Sequence, residues 1–204
     1  MYIPDIYKNE NQEDITAFLK QNSFGILINQ TNGKLWATHI PLELQTNKEG
    51  KTILEGHISK ENPQWQGFTE NDQILAVFSG PHSYISPSWY DHENVPTWNY
   101  IAVHVYGRIK IIEGDAVIES LKKLVDKYEQ NSENPVRIED LSQKTMMQSR
   151  GIVAFEIEID EIQATKKMSQ NRDDKNYQNI ISELEKTNIN QSIAVANEMK
   201  KCPR

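Results

Sequence analysis

Short apolar segments recur along this chain, and turn-forming residues separate one segment from the next. Residues 24–29 and 35–44 flank Asn32-Gly33, a pair that favours the tight turn of a β-hairpin. A second turn, at residues 47–50, precedes the strand pattern of residues 52–58. Strands joined by turns this short pair antiparallel, because a parallel pair needs a long crossover connection. The pattern therefore predicts antiparallel hairpins and not an alternating α/β fold.

The rest of the chain adds further strands and helices to these hairpins. Continuous or alternating apolar residues predict strands at residues 73–79, 98–112 and 152–159. Apolar residues at helical spacing predict helices at residues 11–22 and 116–130. Several short strands with helices added at the ends predict a small β-barrel.

The length and composition are those of a folded domain. The chain has 204 residues, of which 37% are hydrophobic and 25% charged. It is therefore long enough to bury a sizeable core and differs from a disordered chain. We predict a barrel domain over residues 1–175. Residues 176–204 have a helical but polar pattern, and we expect an extension that packs on the barrel or on a second subunit.

The charge balance argues against nucleic acid as a general electrostatic partner. The net charge is −7 at pH 7, whereas affinity for phosphates comes from clustered lysine and arginine. Two local basic clusters, Lys122-Lys123 with Lys127 and Lys166-Lys167 with Arg172, fit a solvated helix face or a site for a ligand phosphate. There is no helix-turn-helix pattern, so DNA binding stays open without support from charge or motif.

Cysteine usage and hydropathy indicate the compartment. Cys202 is the only cysteine, which excludes an internal disulfide and the Cys/His pattern of a structural zinc site, so we expect no metal. A chain without disulfides fits a reducing compartment, and we expect a cytoplasmic location. Residues near the N-terminus are charged and no stretch approaches 18 apolar residues, so we expect neither a signal peptide nor a membrane span.

Residues 80–108 combine aromatic rings with hydroxyl and amide groups. Two runs, residues 84–90 (YISPSWY) and 95–100 (VPTWNY), carry most of them. Aromatic rings hold the apolar plane of a flat ligand, whereas hydroxyls and amides bond its polar edge. The same aromatics also suit the core of a β-hairpin, so composition alone leaves both interpretations open.

Both runs are similar to the signature of one known family, and other segments extend the similarity. They are residues 1–4 (MYIP), 37–42 (ATHIPL), 55–65 (EGHISKENPQW) and 166–172 (KKMSQNR), in the family's order and at about its spacing. Over about its whole length the chain resembles the PaiB family, described as FMN-binding negative transcriptional regulators with a split-barrel fold. It departs at Lys166, where the family usually has an aromatic residue, and beyond about Ser182, where the match is loose.

The resemblance implies a fold, a cofactor and an assembly. The fold is mainly β with helices, the FMN-binding split β-barrel of the pyridoxamine-phosphate-oxidase type. The assembly is a homodimer that holds FMN at its interface, and the implied function is negative regulation of transcription. The residues that we expect to bind the cofactor are Thr38, His39, His57, Ser59, Lys60, Tyr84, Ser86, Trp98, Asn99, Lys167, Ser169, Gln170 and Asn171.

The residues of this set that come first in the sequence, from Thr38 to Lys60, suit the phosphate and the ribityl chain of FMN. Residues 56–60 offer an imidazole, a hydroxyl and an ammonium at the end of a strand, which are the donors that a phosphate needs. Pro41 predicts either an edge strand or a bulge, because proline donates no hydrogen bond to a β-ladder. A bulge would aim His39 inward, towards the ligand.

The later part of the set suits the flavin ring. Trp98 and Asn99 offer stacking and an amide, and Tyr84 and Ser86 complete the wall. The cluster at residues 167–171 is too rich in donors to be buried without partners, so a ligand, a second subunit or water is expected to satisfy it.

Two other functions stay open. The same fold hosts flavin-dependent oxidoreductases such as pyridoxamine-phosphate oxidases and flavin reductases, and fold does not settle function. A haem-binding split barrel requires a histidine that faces an open pocket, and the candidates are His39, His57, His82, His92 and His104. The sequence has no nucleophile elbow, phosphate-binding loop, zinc-protease helix or dinucleotide fingerprint, so no catalytic residue is assigned and enzymatic activity stays open.

Overall fold

The computed structural model describes residues 1–69 and 73–202, which form mainly antiparallel β-structure with helices. The strands are β1 (Phe24–Thr31), β2 (Lys34–Pro41), β3 (Glu43–Thr46), β4 (Thr52–Ser59), β5 (Gln73–Ile85), β6 (Thr97–Ile112) and β7 (Ile152–Lys167). The helices are α1 (Gln12–Gln21), α2 (Asp115–Glu129), α3 (Gln143–Met146), α4 (Asp174–Lys186) and α5 (Asn190–Lys201).

The chain forms two compact units, which are described separately. The first unit contains residues 1–18, 78–104 and 163–204, and the second contains residues 19–77 and 105–162. Strands β5, β6 and β7 are long and contribute one part to each unit. The division of the chain into residues 1–175 and 176–204 stays a prediction.

In the second unit the strands follow the order β2-β1-β5-β6-β7-β4-β3. Both predicted hairpins are present. Asn32 and Gly33 join β1 to β2 with φ values of 52° and 75°, the positive values that a tight primed turn requires. Strands β3 and β4 pair antiparallel on either side of the second turn, which ends at Gly50 with a φ of 79°.

Strand β2 lies at one end of this order, so Pro41 is on an edge strand, one of the two positions that its sequence predicted. The other expectation was a bulge that turns His39 inward, and it is wrong. The pairing of β1 with β2 runs without interruption from Phe24 opposite Pro41 to Thr31 opposite Lys34. His39 is exposed on this regular ladder.

Helix α2 is held in the second unit by ion pairs. The Lys127 ammonium lies 2.5 Å from the Glu43 carboxylate, which also accepts a hydrogen bond of 2.9 Å from the Tyr128 hydroxyl. Lys123 lies 2.9 Å from Glu55. Both glutamates are buried, so the lysines neutralise charges that would otherwise be costly in the interior.

The core of the first unit is built around α4 and α5. Tyr177, Ile180 and Leu184 of α4 and Val195 and Met199 of α5 are almost completely buried. They pack in one cluster with residues of β5, β6 and the segment that follows β7, namely Ile85, Ile101 and Met168. The apolar stripes of the two helices are narrow, which is why their sequence looked polar although one face of each is interior.

The extents of several strands differ from those predicted. The predicted strand at residues 35–44 is divided at Leu42, whose N–H donates to the Ser23 carbonyl at 2.8 Å. Strand β5 continues to Ile85 and β7 to Lys167, through polar residues that apolar periodicity does not mark. The added lengths of β5 and β7 carry several of the predicted site residues.

Candidate functional site

The predicted cofactor-binding residues fall in both units. Tyr84, Ser86, Trp98, Asn99, Lys167, Ser169, Gln170 and Asn171 lie in the first unit. Thr38, His39, His57, Ser59 and Lys60 lie in the second. Each group is described by itself.

An exposed aromatic surface lies on β5 and β6 of the first unit. Trp98 is 52% exposed and Tyr84 is 44% exposed, and their ring centroids are 6.0 Å apart in an edge-to-face arrangement. The indole of Trp98 also lies near the His82 ring, with ring centroids 6.3 Å apart. Large aromatics of a folded chain are usually buried, so this arrangement offers flat apolar area to a ligand or a partner.

Asn99 does not share this surface. It follows Trp98 in β6, and successive strand residues point to opposite faces. Asn99 is fully buried; its amide accepts a hydrogen bond from the Ser169 hydroxyl at 3.0 Å and donates to the Met199 sulfur at 3.5 Å. The structure therefore brings Trp98 and Tyr84 together but places Asn99 in the interior.

The segment after β7 satisfies most of its own polar groups. The Gln170 side chain accepts from the Met168 N–H at 2.7 Å and donates to the Lys166 carbonyl. Ser169 is buried, with a φ of 59° and its hydroxyl bonded to Asn99. Asn171 is exposed. Ser169 and Gln170 therefore need no external partner, contrary to what their density in the sequence suggested.

Lys167 has a different environment. Its ammonium donates to the Thr97 hydroxyl at 2.6 Å and lies 5.6 Å from the centroid of the Tyr7 ring. Tyr7 is placed there because the N-terminal segment pairs with the end of β7, with the Asn9 N–H donating to the Ala164 carbonyl at 3.0 Å. Burial, and then the charge of Arg172, lower the pKa of Lys167.

Ser86 begins the connection from β5 to β6. Its hydroxyl accepts a hydrogen bond from the Ser88 N–H at 3.2 Å and lies 2.8 Å from the Ser88 hydroxyl. This is a capping arrangement, and it stabilises the short 3-10 turn at Pro87–Trp89. The structure thus gives Ser86 a role in shaping the connection.

In the second unit Thr38 and His39 differ in their environments. The Thr38 hydroxyl donates to the Gln64 side-chain oxygen and accepts from the Asn62 amide at 2.9 Å. These contacts tie β2 to the 3-10 turn at Pro63–Gly67, in which Gln64 is fully buried. His39 points outward and stacks with Phe24, with ring centroids 6.4 Å apart.

The end of β4 presents three more predicted residues. His57 is half-buried, and burial lowers its pKa; it lines a cleft together with Glu43, Glu55 and Lys123. The Ser59 hydroxyl accepts from the Glu61 N–H at 3.2 Å. Lys60 is exposed. Of these side chains, the ammonium of Lys60 is the most accessible to an anionic ligand.

Sequence reasoning did not assign several residues that the structure places beside the predicted ones. Thr97 stands inside a recognised motif, so its position next to Trp98 was an available signal. Arg172 was noted in the sequence only as part of a basic cluster that could hold a ligand phosphate. His82 was considered only as a haem candidate. Tyr7 gave no signal, because its contact with Lys167 joins residues that are 160 positions apart in the sequence.

The residues present fit FMN. An isoalloxazine ring needs flat apolar area with polar groups nearby, and Trp98, Tyr84 and His82 offer this in the first unit. A phosphate needs cationic and hydroxyl donors, which Lys167 with Thr97 and, separately, Lys60 with Ser59 can supply. No residue in this set forms the nucleophile and base pair of a hydrolytic enzyme.

Four lysines of the basic clusters noted in the sequence are paired with carboxylates. Lys122 pairs with Asp126 and Glu139, and Lys123 and Lys127 pair with the buried glutamates already described. Lys166 pairs with Glu198 at 3.0 Å. Among residues 1–69 and 73–202, no helix is long and apolar enough to span a membrane, and no group of three potential metal ligands is found.

Comparison with known proteins identifies similar sequences. Residues 1–161 match the family model described as "Putative FMN-binding domain". The chain is 44% identical over 186 residues to the Protease synthase and sporulation protein PAI 2 of Bacillus subtilis (strain 168). That alignment covers 91% of this chain and 89% of the relative.

Solved structures with much lower identity share the fold. The flavocytochrome Anf3 from Azotobacter vinelandii superposes with a TM-score of 0.64 at 18% identity, covering 87% of this chain and 78% of that one. The FAD and haem binding protein from Mycobacterium smegmatis gives 0.61 at 16% identity, covering 79% and 73%. Together with the family match, these similarities confirm the predicted mainly β split-barrel fold with helices.

Proposed function

Because this chain belongs to the PaiB family of FMN-binding domains, we propose that it is a homodimeric, FMN-binding negative regulator of transcription. The observation that carries the cofactor half is the exposed pair of Trp98 and Tyr84, with His82 beside it. Exposing this much aromatic area is unfavourable in water, and a bound planar ring would cover it.

In this proposal the residues of the chain bind and orient the cofactor. Trp98 and Tyr84 contact the isoalloxazine ring, and cationic side chains hold the phosphate. When bound, FMN supplies the capacity for electron transfer, which the amino acids of the chain lack. Asn99 and Ser169 act indirectly, because their buried hydrogen bond fixes the backbone of β6 next to Trp98.

The homodimer is supported by an apolar sheet face in the second unit. We call it the outer face; it consists of Phe24, Ile26, Ile28, Leu35, Ala37, His39, Leu75 and Val77. The registers align these side chains in rows, such as Ala37, Ile28 and Leu75 across three strands. Phe24 is 65% exposed and Leu35 is 80% exposed. An apolar face of this kind is typical of a surface that a second subunit covers.

The regulatory half of the proposal rests on the similarity to the Bacillus subtilis protein named for protease synthesis and sporulation. The charge distribution argues for an indirect effect on transcription. The chain carries a net charge of −7, and the lysines of α2 are already paired with carboxylates. We therefore propose action through a partner protein in the cytoplasm, the compartment that a chain with one cysteine suits.

The experiment that tests the function combines three readouts on the purified protein. Saturable FMN binding, no oxidation of NADPH by the FMN-loaded protein, and no salt-dependent shift of promoter DNA are expected for an indirect regulator. Rapid NADPH-dependent bleaching of the flavin would favour an oxidoreductase instead. Tight and salt-sensitive DNA binding would overturn the indirect mechanism, because that signature comes from direct phosphate contacts.

A further inference from the structure

Two consecutive lysines at the end of β7 have different electrostatic environments. The Lys166 ammonium lies 3.0 Å from the Glu198 carboxylate, and both side chains are largely buried, at 21% and 22% exposure. Lys167 is also only partly exposed. Among residues 1–69 and 73–202, however, no carboxylate lies within 4.0 Å of its ammonium. Within the described part of the chain, Lys166 is therefore paired with a carboxylate and Lys167 is not.

The contacts of Lys167 are a hydroxyl and an aromatic ring. Thr97 accepts a hydrogen bond of 2.6 Å from the ammonium, which leaves the hydroxyl proton of Thr97 available for another acceptor. The Tyr7 ring lies 5.6 Å from the ammonium. A cation–π contact and one neutral hydrogen bond compensate a partly buried charge less completely than a carboxylate does.

A second cation acts on the same place. Arg172 stacks its guanidinium on the Tyr90 ring, with the central carbon 5.1 Å from the ring centroid. Its charge, together with the larger effect of burial, lowers the pKa of Lys167. A partly desolvated ammonium that is also repelled by a second cation is stabilised when an anion binds beside it.

We propose that Lys167, Thr97 and Arg172 form a binding site for the phosphate group of a ligand. A phosphate monoester carries close to two negative charges and several acceptor oxygens, which match two cations and a hydroxyl donor. The proposal goes beyond flavin binding, because the site can hold the phosphate of FMN or that of a separate phosphorylated molecule. Of the two places that the sequence suggested for a phosphate, it selects the cluster with Lys167 and Arg172 in the first unit and not Lys60, which follows β4.

The first test is calorimetric titration of the full-length protein with inorganic phosphate at constant ionic strength. Binding is expected for the wild type. Lys167→Met removes the charge and keeps the aliphatic stem, and Thr97→Val removes the hydroxyl and keeps the shape. Each should weaken phosphate binding, Lys167→Met by about tenfold or more, as loss of a charged hydrogen bond does. Lys8→Gln is the matched control, since Lys8 is exposed, near in sequence to Tyr7 and paired with Glu10.

The second test compares FMN with riboflavin, which lacks the phosphate. A smaller preference for FMN in Lys167→Met than in the wild type would identify the flavin phosphate as the occupant. An unchanged preference, together with lost phosphate binding, would identify a separate phosphorylated ligand. Failure to bind any flavin would contradict the proposed function and leave the phosphate site standing.

The site would be overturned by either of two results in variants that keep the wild-type circular dichroism. One is that wild-type protein binds no phosphate. The other is that Lys167→Met binds phosphate as tightly as the wild type and the control Lys8→Gln do.

Discussion

Trp98 and Asn99 are neighbours in the chain, yet they have opposite roles. The alternation of a β-strand points the indole to the surface and the amide into the interior. The same holds for the two lysines at the end of β7, of which Lys166 has a carboxylate partner and Lys167 has a hydroxyl and a ring. In each pair, the surroundings and not the residue type decide which member is available to a ligand.

The two lysines should differ in their effect on stability. Lys166→Met leaves the partly buried Glu198 with one partner fewer, and we expect the free energy of unfolding to fall by about 1 kcal/mol. Lys167→Met removes a partly desolvated charge, so we expect no loss and a small gain at neutral pH in the absence of phosphate. Urea unfolding measures both. A larger loss in Lys167→Met than in Lys166→Met would show that Lys167 is a structural residue.

Among the elements, the connection between β5 and β6 is fixed by α4. The Asp91 carboxylate accepts hydrogen bonds from the Asn176 amide at 2.9 Å and from Lys175 at 2.8 Å. These bonds, together with the His92 side chain, hold the pKa of Asp91 well below its usual range. Asn176 is buried, and its backbone N–H donates to the Asp173 carboxylate at 3.0 Å, which caps α4. The helix therefore positions the connection that precedes Trp98.

Breaking this link should loosen the aromatic surface. We expect Asn176→Ala to reduce the free energy of unfolding by about 1 kcal/mol, since it removes the hydrogen bonds that the buried amide makes with the Asp91 backbone N–H and carboxylate. Asp91→Ala should also destabilise, and the double variant should lose less than the sum of the two single losses. Additive losses in chemical unfolding would mean that Asp91 and Asn176 act independently.

The elements differ in how far the sequence could predict them. The β1–β2 hairpin followed from Asn32-Gly33, because the positive φ values of its turn restrict the residues that fit there. The C-terminal parts of β5 and β7, beyond residues 79 and 159, could not be predicted in this way. Their pairing depends on neighbouring strands and not on their own apolar pattern. Helices α4 and α5 bury narrow stripes, and their packing on Ile85 and Ile101 was not readable from their polar composition.

Only the part of the candidate site that has a local sequence signal could be predicted. The aromatic run that holds Tyr84 and Trp98 was visible as local composition, and the structure brings these two rings together. Contacts such as Lys167 with Tyr7, or Ser169 with Asn99, join distant parts of the chain and depend on the fold. FMN, the predicted cofactor, is the group by which the family is described.

For the molecule as a whole, the outer face of the second unit predicts self-association. Light scattering during size-exclusion chromatography should give a mass of twice 23.6 kDa. Ile28→Asp places a charge in the middle of the outer face, opposite Ala37 and Leu75, and should shift the protein to the monomer. Lys34→Asp, at the exposed end of β2, is the control. A dimer that survives Ile28→Asp would place the interface elsewhere.

The central claim is that this chain binds FMN on the surface formed by Trp98 and Tyr84. It is tested most directly by fluorescence titration of FMN into the wild type and the variants Trp98→Ala, Trp98→Phe and Tyr2→Ala. Loss of stacking should weaken binding about tenfold in Trp98→Ala, with partial recovery in Trp98→Phe. Tyr2→Ala, which removes an aromatic that is 88% exposed in the same unit, should bind as the wild type does. Equal affinity in Trp98→Ala and the wild type would contradict the assignment.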